Sequence, residues 1–127
     1  MKYFYHKLLV ILILPISIHA SDVYYCVDDD ATGFDPKENF AVTRFKGERF
    51  KIMIDFEQNM VKSKDLRFEN LSVPKCVVYL NNLTCINKYG TTFILDKLTL
   101  KFYRSGMFMP GVSSDSVFVA HGSCEKF

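Results

Sequence analysis

The chain has no tryptophan, few glycines and prolines, and almost no net charge, since 16 basic residues stand against 14 acidic ones. It contains no Gly-x-Ser-x-Gly turn on which a serine nucleophile would stand. It contains no pair of cysteines at C-x-x-C spacing, which a four-thiolate zinc site normally shows. No apolar run reaches the roughly 20 residues that cross a bilayer as a helix, the longest such run being the eleven residues from Leu8 to Ile18. These absences argue against a hydrolase elbow, a zinc ribbon and a helical membrane anchor.

What stands at the N-terminus is an address. Lys2, His6 and Lys7 precede the apolar run, and the small residue Ala20 precedes the polar pair Ser21 and Asp22. This is the layout of a secretory signal cut after Ala20. The expectation is a signal peptide over residues 1–20 and one domain over residues 21–127, soluble once cleaved, monomeric, and periplasmic or secreted. Cleavage takes Lys2 and Lys7 away, and 16 − 2 = 14 basic residues then balance the 14 acidic ones. A neutral domain lacks the basic footprint of a nucleic-acid binder, so no DNA or RNA partner is expected. The partner expected instead is an unidentified protein or small ligand, with no membrane contact after cleavage.

All four cysteines, Cys26, Cys76, Cys85 and Cys124, lie in the exported part. An even number in an oxidising compartment predicts two disulfides. If residues 79–82 form a four-residue turn, Cys76 faces Cys85 across a hairpin and Cys26 is left for Cys124. That pairing requires the first and last strands to be neighbours. Spacing leaves the two other connectivities open.

Alternation of period two is the recurring pattern, and it marks half-buried strands. In residues 49–56, Phe50, Ile52, Ile54 and Phe56 share one face, and in residues 98–104, Leu98, Leu100 and Phe102 do. Residues 60–64 complete a hairpin with the first of these. Further strands are predicted over 23–27, 75–79, 83–88, 91–95 and 116–120, separated by Leu80-Asn81-Asn82, Tyr89-Gly90 and Asp96-Lys97. Residues 110–114 read as a loop, and residues 36–46 as a helical turn or an irregular strand. About eight short strands without a long helix predict an all-β fold, a small antiparallel meander barrel or sandwich. The aromatic residues are expected mainly to fill its core.

The acidic stretch from Asp28 to Asp35 places carboxylates at the first and third positions and glycine at the sixth, as in a calcium loop. The twelfth position is Asn39 instead of a bidentate glutamate, so the stretch reads as a solvated acidic turn, with Asp28, Asp30 and Asp35 as candidate metal ligands. His121 is the one histidine outside the signal, beside Ser123, and is expected at the surface or on an edge strand rather than in a hydrolase. Asn70 and Asn82 open glycosylation sequons, relevant only in a eukaryotic secretory pathway. No catalytic residue and no cofactor is assigned. The expectation is a non-enzymatic binding or interaction module, with weak divalent-metal binding as an alternative.

At Tyr24-Tyr25-Cys26-Val27, Gly33-Phe34-Asp35-Pro36-Lys37-Glu38-Asn39, Ser63-Lys64-Asp65-Leu66, Leu98-Thr99-Leu100-Lys101-Phe102 and His121-Gly122-Ser123-Cys124-Glu125-Lys126-Phe127, the chain resembles a group of short exported proteins of marine alphaproteobacteria. The resemblance implies a periplasmic setting. In Tyr24-Tyr25-Cys26 it is also similar to the small periplasmic inhibitors of C-type lysozymes, which implies a disulfide-linked β-barrel and inhibition of a cell-wall hydrolase. Where that family carries a serine-glycine inhibitory motif, this chain has Tyr89-Gly90-Thr91-Thr92-Phe93.

Overall fold

A computed structural model describes residues 21–65, 76–106 and 117–127. The expected signal peptide, the loop at 110–114 and the sequon at Asn70 lie outside them. Within them the chain is all-β: a coiled antiparallel sheet, a half-barrel of eight strands with one extra strand beside it. In chain order the strands are β1 (Asp22–Asp35), β2 (Ala41–Phe45), β3 (Arg49–Asp55), β4 (Met60–Lys62), β5 (Val77–Tyr79), β6 (Asn82–Ile86), β7 (Thr92–Asp96), β8 (Lys101–Gly106) and β9 (Val117–Lys126). Their spatial order is β4-β3-β1-β9-β8-β7-β6-β5, and among the described residues β2 pairs with β1 alone. The second half, β5 to β9, is a meander as expected, and the first and last strands are neighbours.

Turn chemistry explains where strands stop. The Asp55 side chain accepts hydrogen bonds from the Glu57 and Gln58 amides at 3.0 and 2.9 Å, and Asn59 takes a left-handed conformation, which closes β3 onto β4. Asn87 does the same for β6 and β7, its side-chain oxygen accepting from the Tyr89 and Thr91 amides, both at 2.9 Å. The expected strand at 98–104 is shortened by this chemistry. Asp96 accepts from the Leu98 and Thr99 amides at 2.8 and 3.1 Å, Leu100 is left-handed, and β8 therefore begins only at Lys101. Leu98, predicted to face inward, is exposed. At residues 36–46 both readings apply in succession. Asp35 caps a short 3-10 turn, Pro36–Glu38, by accepting from the Lys37 amide at 2.9 Å, and β2 follows.

The inward set of the alternating strands forms the core: Tyr24, Phe50, Ile52, Ile54, Val61, Leu83, Phe93, Leu95 and Phe102 with all four cysteines. Phe50 on β3 stands edge-on to Phe102 on β8, centroids 5.3 Å apart, and Phe102 stacks on Phe93 of β7 at 5.5 Å. Strands β3 and β8 are not hydrogen-bonded neighbours, so these rings meet across the interior, and coiling of the sheet is what brings them together. Each such fully buried side chain contributes about 1.5–3 kcal/mol. Both expected disulfides are present, Cys26–Cys124 and Cys76–Cys85, with Cα separations of 4.0 and 4.3 Å. The first joins directly opposed residues of β1 and β9. Near the second, the Cys76 amide donates to the Asn59 carbonyl at 3.0 Å, linking the approach to β5 with the β3–β4 turn.

Candidate functional site

The acidic stretch is not a loop. It lies inside β1, which pairs with β9 from Tyr24 to Phe34 and turns a corner at a bulge between Asp28 and Asp30. Asp29 is the extra residue, and the bulge resets which face each later side chain takes. Asp28 therefore points inward and Asp30 outward, so the carboxylates that were aligned with calcium-loop positions diverge to opposite faces. Opposite the bulge stands Gly122, where a Cβ would lie 1.9 Å from the Val27 carbonyl oxygen and 2.9 Å from the Phe102 ring. Only glycine permits that approach.

Asp28 reaches Arg104 on β8. The Arg104 Nε donates to Asp28 Oδ1 at 2.9 Å, and Nη2 donates to Asp28 Oδ2 and, at 2.8 Å, to Glu48 Oε2. The two side chains are almost fully buried, 0% exposed for Asp28 and 5% for Arg104, whereas that of Glu48 is largely in solvent. The Asp28 amide donates to the Glu48 carbonyl at 2.9 Å, and the Glu48 amide donates back to Asp28 Oδ2 at 3.0 Å. The connection from β2 to β3 is thereby tied to the bulge. The guanidinium also lies between two rings, 5.3 Å from the Phe50 centroid and 4.8 Å from that of Phe118. Burial disfavours the charged guanidinium, but the hydrogen bonds and charges of Asp28 and then Glu48 outweigh it and hold the Arg104 pKa above its ordinary value.

Two positions on, Asp30 makes the same kind of bond on the outer face. It accepts from Arg44 Nε at 2.9 Å and Nη2 at 3.0 Å, and Ala31 donates its amide to Asp30 Oδ1 at 2.9 Å. The Arg44 hydrogen bond, against a smaller desolvation effect, holds the Asp30 carboxyl below its usual value. Asp35 serves as the cap described above. Each of the three candidate metal ligands is thus engaged with a different neighbour, and among the described residues no three His, Cys, Asp or Glu are grouped to hold a metal ion.

His121 is exposed, in the middle of β9, with Asp30 on β1 and Tyr103 on β8 as its cross-strand partners. It is a surface residue of an interior strand rather than of an edge, and its ring centroid is 6.4 Å from that of Tyr103. Asn82, at the head of the second sequon, is exposed at the start of β6. Of the stretch from Tyr89 to Phe93, residues Tyr89 to Thr91 lie in the turn organised by Asn87, and Thr92 and Phe93 open β7, with Phe93 in the core.

The Asp28–Arg104–Glu48 cluster was not singled out in the sequence, yet a signal was there. By the parity that places Tyr24 and Cys26 inward, Asp28 is inward too, and by the parity of Phe102 so is Arg104. Two opposite charges at inward positions of otherwise apolar alternations are a buried ion pair in prospect. Their pairing needed the register of β1, β9 and β8, which alternation does not supply.

On the outer face two patches flank the row of Asp30, His121 and Tyr103. Toward the end of β1, Phe34 pairs with Val42 and Val117, and Val119 lies beside Thr32. Phe34 is 46%, Val42 75% and Val119 57% exposed. Toward the start of β1, Val23, Tyr25 and Val27 are flanked by charged residues of β3, β4 and β8. In comparison with known proteins, no family model matches this chain, nor does any curated protein or solved structure.

Proposed function

We propose that the domain is a non-enzymatic binding module of an oxidising compartment, periplasmic or secreted, that takes a protein partner along β2. The observation that carries this reading is the apolar patch of Phe34, Val42 and Val119 on the sheet beside β2, a strand that pairs with β1 alone among the described residues. An extended segment added to β2 would find main-chain hydrogen bonds along the strand and apolar contacts at Val42 and Phe34. Two disulfides support an exported protein, because such cross-links persist outside reducing compartments. The buried polar groups support a frame rather than an active site, since Asp28 and Arg104 are committed to one another.

A photo-crosslinking residue at Val42, introduced in the exporting cell, should give one discrete adduct, whereas the same residue at exposed Lys88 should not. The adduct should disappear when Phe34 is replaced by Ser. A Val42 probe that yields no adduct, or the same products as the Lys88 probe, would end this reading.

A further inference from the structure

We infer, in place of the expectation of no membrane contact after cleavage, that the other end of the outer face, built by β4, β3, β1, β9 and β8, is a docking surface for an anionic lipid bilayer. Strand register assembles it in three rows. Lys62 lies opposite Met53, which lies opposite Val23; Lys51 lies opposite Tyr25, which lies opposite Glu125; Arg49 lies opposite Val27, followed by Ser123 and Lys101. The centre is apolar, Met53, Val23, Tyr25 and Val27, and the rim carries four cations, Lys62, Lys51, Arg49 and Lys101, all exposed. Lys51 Nζ sits 5.9 Å from the centroid of the Tyr25 ring, and the Phe127 ring stands edge-on to Tyr25 at 5.5 Å.

Three carboxylates belong to this surface, Glu125 opposite Tyr25, Asp65, which accepts the Lys51 amide at 3.1 Å, and Asp55, which follows Met53 on β3 and accepts the amides of the β3–β4 turn, and the four cations outnumber them. Asp22 at the same end is neutralised by Lys126 at 2.9 Å. Because residues 21–127 are formally neutral, with 14 charges of each sign, an excess of cations here means an excess of acids elsewhere. The next row already carries Asp30, and beyond it come Asp35 and Glu38. A polarised neutral domain is oriented by a charged plane more than attracted by it.

A lipid surface is favoured over a soluble polyanion by the order of the groups. Apolar side chains at the centre suit the boundary between headgroups and acyl chains, and cations around them suit anionic headgroups. A polysaccharide would instead need several polar hydrogen-bonding groups at the centre, where among the described residues the Tyr25 hydroxyl and the adjoining Ser123 supply two. This inference does not rest on the protein-binding reading, which uses the opposite end of the face and is read out separately.

The test is co-sedimentation of the oxidised protein, produced from the full chain in an exporting host, with vesicles of phosphatidylcholine alone or mixed with phosphatidylglycerol. Binding should appear with the anionic vesicles only and weaken as salt is raised. Arg49→Gln and Lys51→Gln should each reduce partitioning by about fivefold. Tyr25→Ser should reduce it at unchanged charge, and Lys88→Gln on the β6–β7 turn should leave it unchanged. No binding, equal binding to neutral vesicles, or an Arg49→Gln/Lys51→Gln double variant that binds as before would overturn the inference. Retention on a soluble anionic polysaccharide without vesicle binding would overturn it as well and assign the cations to a glycan.

Discussion

Two aspartate–arginine pairs leave β1 within three residues of each other, and the sheet treats them oppositely. Asp28–Arg104 and Asp30–Arg44 share the same two-bond geometry, with Nε to Oδ1 at 2.9 Å in both. The first is enclosed between Phe50 and Phe118 under the connection from β2 to β3, and the second is open to solvent. The bulge at Asp29 alone decides which carboxylate goes where. Identical chemistry thus becomes an internal tie between β1, β8 and the β2–β3 connection in one case, and a surface contact between adjacent strands in the other. A buried charge left without its partner is costly, and an exposed one returns to water.

The frame around the bulge sets the largest expected effect. Cys26 lies two residues before Asp28, and its bridge to Cys124 spans 98 residues. On the chain-entropy model, closing a loop of that size restrains the unfolded state by about 4.7 kcal/mol, against about 2.7 kcal/mol for the loop closed by Cys76 and Cys85. Denaturant unfolding of Cys26→Ala/Cys124→Ala and Cys76→Ala/Cys85→Ala variants should therefore show the greater loss for the first. The reverse order would mean that the β1–β9 pairing holds the bulge without its cross-link.

Next comes the buried pair. Asp28→Asn keeps the shape but leaves Arg104 charged and enclosed, with exposed Glu48 as its remaining counter-charge, and should lower stability by about 3–5 kcal/mol. The double variant Asp28→Leu/Arg104→Met removes both charges and should recover most of that loss. If the single and double variants are equally unstable, the cost comes from losing the hydrogen bond that the Glu48 amide donates to the Asp28 carboxylate rather than from an orphaned charge.

These two predictions follow the boundary of what the sequence displayed. The stapled apolar half of the interior was legible because alternation in residues 49–56 and the turn at 79–82 are local patterns, which supplied most of the inward set and made the short disulfide one of three open pairings. Only with that pairing did neighbouring first and last strands follow from the remaining cysteines. The acidic run was misread as a turn because charge density dominates a local reading, while the bulge that turns Asp30 outward lies opposite Gly122, in the last strand of the chain. The start of β8 was misplaced for a related reason. Alternation placed Leu98 inward, but the Asp96 side chain captured the amides that a strand would have used.

The smallest expected effect belongs to the exposed pair, and its dependence on pH and salt is the sharpest contrast with Asp28. Asp30 has its carboxyl pKa depressed in the folded protein, first by the Arg44 hydrogen bond, with the Arg44 charge, the Ala31 amide and the His121 charge adding to it. A depressed carboxylate contributes stability that is fully present above its unfolded value, about 3.9, and is lost as pH falls through the lower folded value. Asp30→Asn should therefore lower the melting temperature only slightly at pH 7, and the difference from the parent should begin to shrink as pH falls below about 4 and vanish once pH has fallen through the lower folded value. Salt should shrink it too, because both partners are solvated, whereas the loss in Asp28→Asn should be far less sensitive to salt. Thermal melts at pH 7 and pH 3, at low and high ionic strength, separate the two. An Asp30→Asn effect as large as that of Asp28→Asn would show that solvent exposure does not distinguish the pairs and that the bulge has a different role.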